Sequence, residues 1–256
     1  MRRNSFEYYR DLIWVLLKKE IRVRYKNTVL GYAWSVLNPL AFAAAFYVLF
    51  KVFVRIQMEN YALFLICGLF PWQWFQNSVS LSSQHFLGNA SLIKKVRFPR
   101  EFLVLSGVLN DLLHFLASLP VIVFFLLLFG SGPSWAWFWQ IPAMLAVQLA
   151  FSYGLALLVA TCNLFVRDLE RLIGILLLLW LYLTPVMFPV DMIPERFRWC
   201  LYANPMAATI ECWRNVLMTG TLPADLWALA AGYGVLALAA GRLVYRSLER
   251  RFAELV

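Results

Sequence analysis

Charge and histidine are scarce in this chain. Only 14% of its 256 residues are Asp, Glu, Lys or Arg, and His85 and His114 are the only histidines. No HExxH or CxxC spacing occurs, which removes the usual metal-binding patterns. A GxSxG nucleophile elbow is also missing. None of the twelve glycines is followed by lysine, so there is no GxxxxGK[ST] phosphate loop. Any ATP-driven work must therefore draw on another polypeptide. Acidic residues in or near apolar segments come down to Asp111 and Glu211. An intramembrane acid marks a candidate site, but Asp111 has only Asn110 and His114 beside it, a thin basis for a proton relay. A membrane enzyme needs a convergent set of nucleophile, base or metal ligands, and none is present.

Apolar sequence is abundant. Hydrophobic residues make up 62% of the chain and mean hydropathy is +0.68, against about 45–50% apolar in a soluble domain. Charge-free runs cover 27–50, 60–93 (taking His85 as neutral), 112–166, 172–190 and 226–241. A span needs roughly 20 residues, so the 55-residue run 112–166 holds two, divided by the turn-forming FGSGPS at 129–134. The last run is long enough if Arg242 and Arg246 snorkel. The reading is an all-α integral membrane protein with six transmembrane helices near 29–52, 60–84, 102–129, 138–165, 171–189 and 224–245.

Six spans put both termini on one side. Of the 23 Lys and Arg, only Lys51, Arg55, Arg196, Arg198 and Arg214 fall on the other side. Lys and Arg excess marks the cytoplasmic face, so both termini are expected in the cytoplasm. The net charge of +9 is then topological and lipid-facing, and no nucleic-acid partner is expected. The first apolar run starts too late for a cleavable signal peptide.

Within 1–28, residues 5–26 carry Leu12, Ile13, Leu16, Leu17 and Ile21 at helical spacing beside basic positions. This predicts an amphipathic helix in the inner interface, either a lipid anchor or a docking element. Gly31 lets the chain turn from the membrane plane into the first span, and Pro39 kinks that span or starts its regular part. The loop 88–100 is short and basic and ends at Pro99; it is either a plain positive-inside loop or a force-transmitting segment. Residues 190–223 are too polar to cross and too apolar for a free loop. Two short helices near 195–203 and 206–218 dipping into the outer leaflet fit them, as a lid or a gate. Cys200 and Cys212 fall on that face, and their pairing stays open. Aromatics reach 17%. Trp34, Phe42, Phe46, Trp72, Trp74, Tyr153 and Tyr182 lie away from the expected interfaces and either pack helices or line a carbohydrate path.

Three segments carry a resemblance: RYKNTVLGYAWSVLNPL (24–40), SLIKKVRFPRE (91–101) and NPMAATIECWRNVLMTG (204–220). Together they resemble ABC-2 type transporter permeases of the polysaccharide-export subfamily, those that export O-antigen or teichoic acid. The resemblance extends over essentially the whole chain. It implies a bacterial inner-membrane homodimer paired with two copies of a cytoplasmic ABC ATPase, which binds the ATP and Mg, so this chain needs no cofactor of its own. It implies a coupling helix at 88–100, with Ser91, Leu92, Lys94, Lys95 and Arg97 facing the ATPase and Arg167 and Asp168 nearby. It implies an ABC-2 transmembrane domain over 29–256, re-entrant periplasmic gate helices over 195–218, and an undecaprenyl-diphosphate-linked glycan as cargo. Arg24 and Lys26 are the expected diphosphate entrance. The alternatives are an ABC-2 permease for drugs, lipids or haem, or a polytopic glycan-modifying enzyme.

Overall fold

Trp34 to Phe53, apolar and uncharged until Lys51, form one continuous helical rod in a computed structural model that describes residues 5–24, 31–130 and 132–252. Among the described residues every regular element is helical: α1 (Ser5–Arg24), α2 (Trp34–Tyr47, continued by a π-helical stretch Val48–Phe53), α3 (Tyr61–Ser82), α4 (Ala90–Lys95), α5 (Glu101–Leu128), α6 (Trp137–Phe165), α7 (Leu169–Leu183), α8 (Trp199–Ala203), α9 (Pro205–Arg214) and α10 (Ala224–Leu248). Gly31 holds φ 42° just before α2, the left-handed backbone that glycine adopts without steric cost. α2 begins five residues ahead of Pro39 and runs through it, so the proline does not start the regular helix.

Among the described residues four helices are long and apolar enough to cross a membrane: Trp34–Phe53, α5, α6 and α10 with its short extension to Arg251. Two of the six expected spans fall short of that standard for different reasons. α3 has 22 residues, about 33 Å of helix, but its second half carries Gln73, Gln76, Asn77, Ser78, Ser80 and Ser82. Its side chains are buried by protein instead. α7 has 15 residues, about 22 Å, and buries only Leu177 and Leu181.

α6 and α10 touch backbone to backbone. A Cβ on Gly154 would collide with the α10 main chain at Ala237 and Leu238, and one on Gly241 with the Gly154 carbonyl. Small residues allow this approach where apolar burial gives helices in lipid little drive to associate. The main core gathers α3, α5, α6, α7 and α9 around Trp72, Trp74, Phe75, Phe115 and Trp213. A second cluster at one end joins Leu16 of α1, Phe86, Ile93 of α4, Leu103 of α5, Leu164 of α6, Tyr245 of α10 and Phe252. Both described ends of the chain therefore lie at the same end of the bundle as α4.

At the opposite end, Arg214, expected on the outer side, is only 4% exposed. Its Nη2 donates to the Val186 carbonyl at 2.6 Å and its Nη1 to Glu211 at 2.7 Å. The guanidinium also lies 3.6 Å from the Phe64 ring centroid. Gly68 leaves it room, since a Cβ there would come within 2.7 Å of Nη2. α8 and α9 fall in the two expected short-helix segments, preceded by a 3-10 turn at Glu195–Phe197 and followed by a π-helical stretch at Asn215–Thr219. α9 starts one residue early because Asn204 caps it through the Met206 and Ala207 amides and Pro205 takes the first turn. α9 is mostly buried among α3, α6 and α10. Trp213 Nε1 donates to Gln148 Oε1 at 2.5 Å, and Gln148 Nε2 donates to the Pro71 carbonyl at 2.7 Å. Cys212 is buried, Cys200 is exposed, and both are free thiols.

Candidate translocation and coupling site

The expected coupling segment is built on a short apolar anchor. Leu87–Asn89 forms a 3-10 turn and α4 follows. Ile93 is buried in the end cluster and Leu92 packs against it, while Ser91, Lys94, Lys95 and Arg97 stay exposed. Apolar residues on one side and bare cations on the other make a firmly seated, positively charged projection. Arg167 and Asp168 are exposed in the turn between α6 and α7. At that turn Glu170 accepts from Gln84, which follows α3.

α1 lies against α5 and is tied at two points. Lys19 Nζ donates to Asn89 Oδ1 at 2.6 Å, and Asn89 Nδ2 donates to the His85 carbonyl at 2.7 Å. Arg24 Nη1 donates to Asp111 Oδ1, forming an ion pair. The Asn110 amide, oriented with its oxygen toward the guanidinium, accepts from Nε at 3.3 Å and Nη1 at 3.0 Å. Sequence distance hid this pairing, since the two partners are 87 residues apart. Arg24, read as a diphosphate receptor, is thus already neutralised. Lys26 lies outside the described residues.

Between α2, α3 and α5 is a cavity of about 370 Å³. Arg24 and Asp111 lie on its wall with Trp34 and Asn38 of α2, Gln73, Trp74 and Asn77 of α3, and His114 and Ser118 of α5. Of the expected path aromatics it gathers two. Trp34 is 54% exposed, while Trp74 is 2% exposed and stacks on Phe115 with centroids 5.2 Å apart. Phe42 and Phe46 stack one turn apart on α2 at 6.1 Å, with Phe42 exposed, and Tyr182 is exposed on α7. Trp72 and Tyr153 are placed differently. Trp72 is buried in the core with its Nε1 donating to Gln76 at 2.8 Å, and Tyr153 packs against the end cluster. Trp72 is thus a packing residue, and Tyr153 is half-buried. The α3 amides of the cavity, Gln73 and Asn77, were not singled out in sequence; their signal was four-residue spacing within the polar second half of α3.

Residues 11–218 match the family model described as ABC-2 type transporter. The chain belongs to the ABC-2 type transporter membrane family. It is 44% identical, over 97% of its own length and 96% of the relative's, to an O-antigen export system permease protein RfbA of Klebsiella pneumoniae. A protein of the same name from Myxococcus xanthus is 33% identical over 96% of this chain and 95% of its own length. More distantly, a polysialic acid transport protein KpsM of Escherichia coli is 23% identical over 97% of this chain and 98% of its own. These ABC-2 relatives are named as permeases and transport proteins, not as enzymes. The family match begins within α1 and ends just after α9, so it takes in α4 and the cavity but stops short of α10.

Proposed function

We propose that this chain is the permease subunit of an ATP-driven exporter of a lipid-linked polysaccharide of the O-antigen type. The observation that carries the reading is the 44% identity, spread over nearly the whole length of both chains, to a protein named as an O-antigen export permease. In this reading the chain spans the bacterial inner membrane six times, with α3 and α7 completing the set and both termini in the cytoplasm. Two copies form the conduit, and two copies of a separate ABC ATPase, holding ATP and Mg, dock beneath. The transmembrane domain occupies 29–256, after the interface helix at 1–28.

The physics of the task favours such an arrangement. Sugar hydroxyls cannot enter hydrocarbon without hydrogen-bond partners, so a polymer needs a protein-lined, partly wet passage. Exposed Trp34, Phe42 and Tyr182 offer stacking faces that grip a sugar without fixing one register. ATP-driven closure of the partner would push α4 through Ser91, Leu92, Lys94, Lys95 and Arg97, with Arg167 and Asp168 alongside. The push would pass into two alternating helix packings. The buried helix α9, with the exposed α8 before it, would gate the far end. Lys26, with Arg97 exposed beside α4, would receive the undecaprenyl diphosphate.

The test is deletion of the gene, followed by complementation. Loss of surface polymer with build-up of its lipid-linked form on the inner leaflet supports the reading. Normal surface polymer with a defect in drug, lipid or haem efflux would replace it with another ABC-2 cargo. Altered glycan structure with export intact would point to a modifying enzyme.

A further inference from the structure

The cavity between α2, α3 and α5 has an unusual balance of groups. Among its described lining residues Arg24 is the only Lys or Arg and Asp111 the only Asp or Glu, and the two neutralise one another. The carboxylate is only half used. Asp111 Oδ1 takes Arg24, while Oδ2 is buried without a hydrogen bond, in a residue 2% exposed. The Ser78 hydroxyl lies near enough to interact with that carboxylate, and neither Ser78 Oγ nor Asp111 Oδ2 has a closer partner. Trp74 Nε1 is also buried and unpartnered, in a side chain that is likewise 2% exposed. Leaving such groups unmet costs about 1–3 kcal/mol each, so an acceptor and a donor on one cavity wall point to a ligand, or to water that a ligand displaces.

The remaining wall has the same character. Gln73 Nε2 donates to Asn77 Oδ1 at 3.2 Å, which leaves Gln73 Oε1 and Asn77 Nδ2 for other partners. Ser118 gives its hydrogen to the Phe115 carbonyl at 2.6 Å, so its oxygen can still accept. Trp34 adds an open aromatic face at the mouth. A cancelled charge, alternating donors and acceptors, and one flat apolar face match a neutral polyhydroxylated ring. They match a diphosphate poorly, because an anion would meet the Asp111 carboxylate together with an arginine already satisfied.

We propose that this cavity within a single protomer is a binding site for one neutral sugar ring, with Asp111 Oδ2 accepting from a hydroxyl, Trp74 Nε1 donating to one, and Trp34 stacking on the ring. The inference rests on the exporter reading above and narrows it: the site recognises a sugar and not the lipid diphosphate.

The test uses the full chain with its ATPase in membrane vesicles loaded with the lipid-linked glycan. A diazirine side chain is placed at Asn77 in the cavity or, separately, at Tyr182 on α7. The expected result is a glycan adduct at position 77. A neutral methyl hexopyranoside and Trp34→Ala each weaken it several-fold, and inorganic pyrophosphate leaves it unchanged. Trp34 is exposed, so that variant does not depend on disturbing the Arg24–Asp111 pair. Adducts only at position 182 with export intact overturn the sugar site and spare the exporter reading. Competition by pyrophosphate and not by the hexoside makes the cavity a diphosphate site and also overturns it. Vesicles that neither label nor export overturn both.

Discussion

Lys19 in α1 and Asn89 in the turn before α4 are joined by a 2.6 Å hydrogen bond, and the same Asn89 amide holds the His85 carbonyl at 2.7 Å. One side chain thus links the N-terminal helix, the end of α3 and the base of the exposed cationic turn. Asn89 is buried, so its replacement leaves partners unmet at a cost of about 1–3 kcal/mol. Asn89→Ala should lower the melting temperature in detergent and reduce export more than it reduces ATP hydrolysis by the complex. Wild-type melting and wild-type export together would make this link idle.

The His85 ring packs directly on Gly107 of α5, where any Cβ would overlap ring atoms, whereas a Cβ on nearby Gly88 would meet nothing within 4 Å. Overpacking typically costs about 1–3 kcal/mol. Gly107→Ala should therefore melt clearly below wild type, while Gly88→Ala should melt close to it, apart from any small gain from a stiffer unfolded chain. Equal melting of the two variants would contradict the contact.

His85 lies just beyond α3, and burial pushes its pKa down to about 4 from 6.5; neighbouring Glu20 opposes the shift, while Arg24 and Lys19 add to it. Because the folded value lies below the unfolded one, the unfolded chain binds more protons and stability rises with pH. The contribution of neutral His85 is complete above pH 6.5 and is lost as the pH falls toward 4. Melting temperatures between those limits should fall for wild type and fall less for His85→Gln. Parallel curves would remove His85 as the cause.

Much of the fold was readable because lipid imposes one rule: long apolar runs become helices. The breaks at Gly31, at 129–134 and at Asn204–Pro205 are local backbone chemistry, and each falls where its residues require. What stayed hidden depends on partners distant in sequence. Arg214 reads only as a cation of the outer side until the Val186 carbonyl and the Phe64 ring surround it. Arg24 reads as a free cation until Asp111 neutralises it. Trp34 and Trp72 look alike in sequence, and only packing makes one exposed and the other core. The polar stretch of α3 is the clearest missed signal, since Gln73 and Asn77 stand on a wall that apolar patterning alone does not reveal.

Lys94 and Lys95 are exposed on a turn held down by Ile93, so charge reversal there should leave folding intact, with surface changes typically within about 0.5 kcal/mol. Lys94→Glu with Lys95→Glu should abolish most export, measured as surface polymer, while the purified chain melts as wild type. Undiminished export would remove these cations from the coupling surface.

The central claim is that this chain conducts and another polypeptide supplies the power. The direct measurement is reconstitution into proteoliposomes, with and without the ATPase, following lipid-linked glycan transfer and ATP hydrolysis together. The account predicts transfer only when both proteins and ATP are present, and neither transfer nor hydrolysis by this chain alone. Turnover of ATP or glycan by the isolated chain would contradict it.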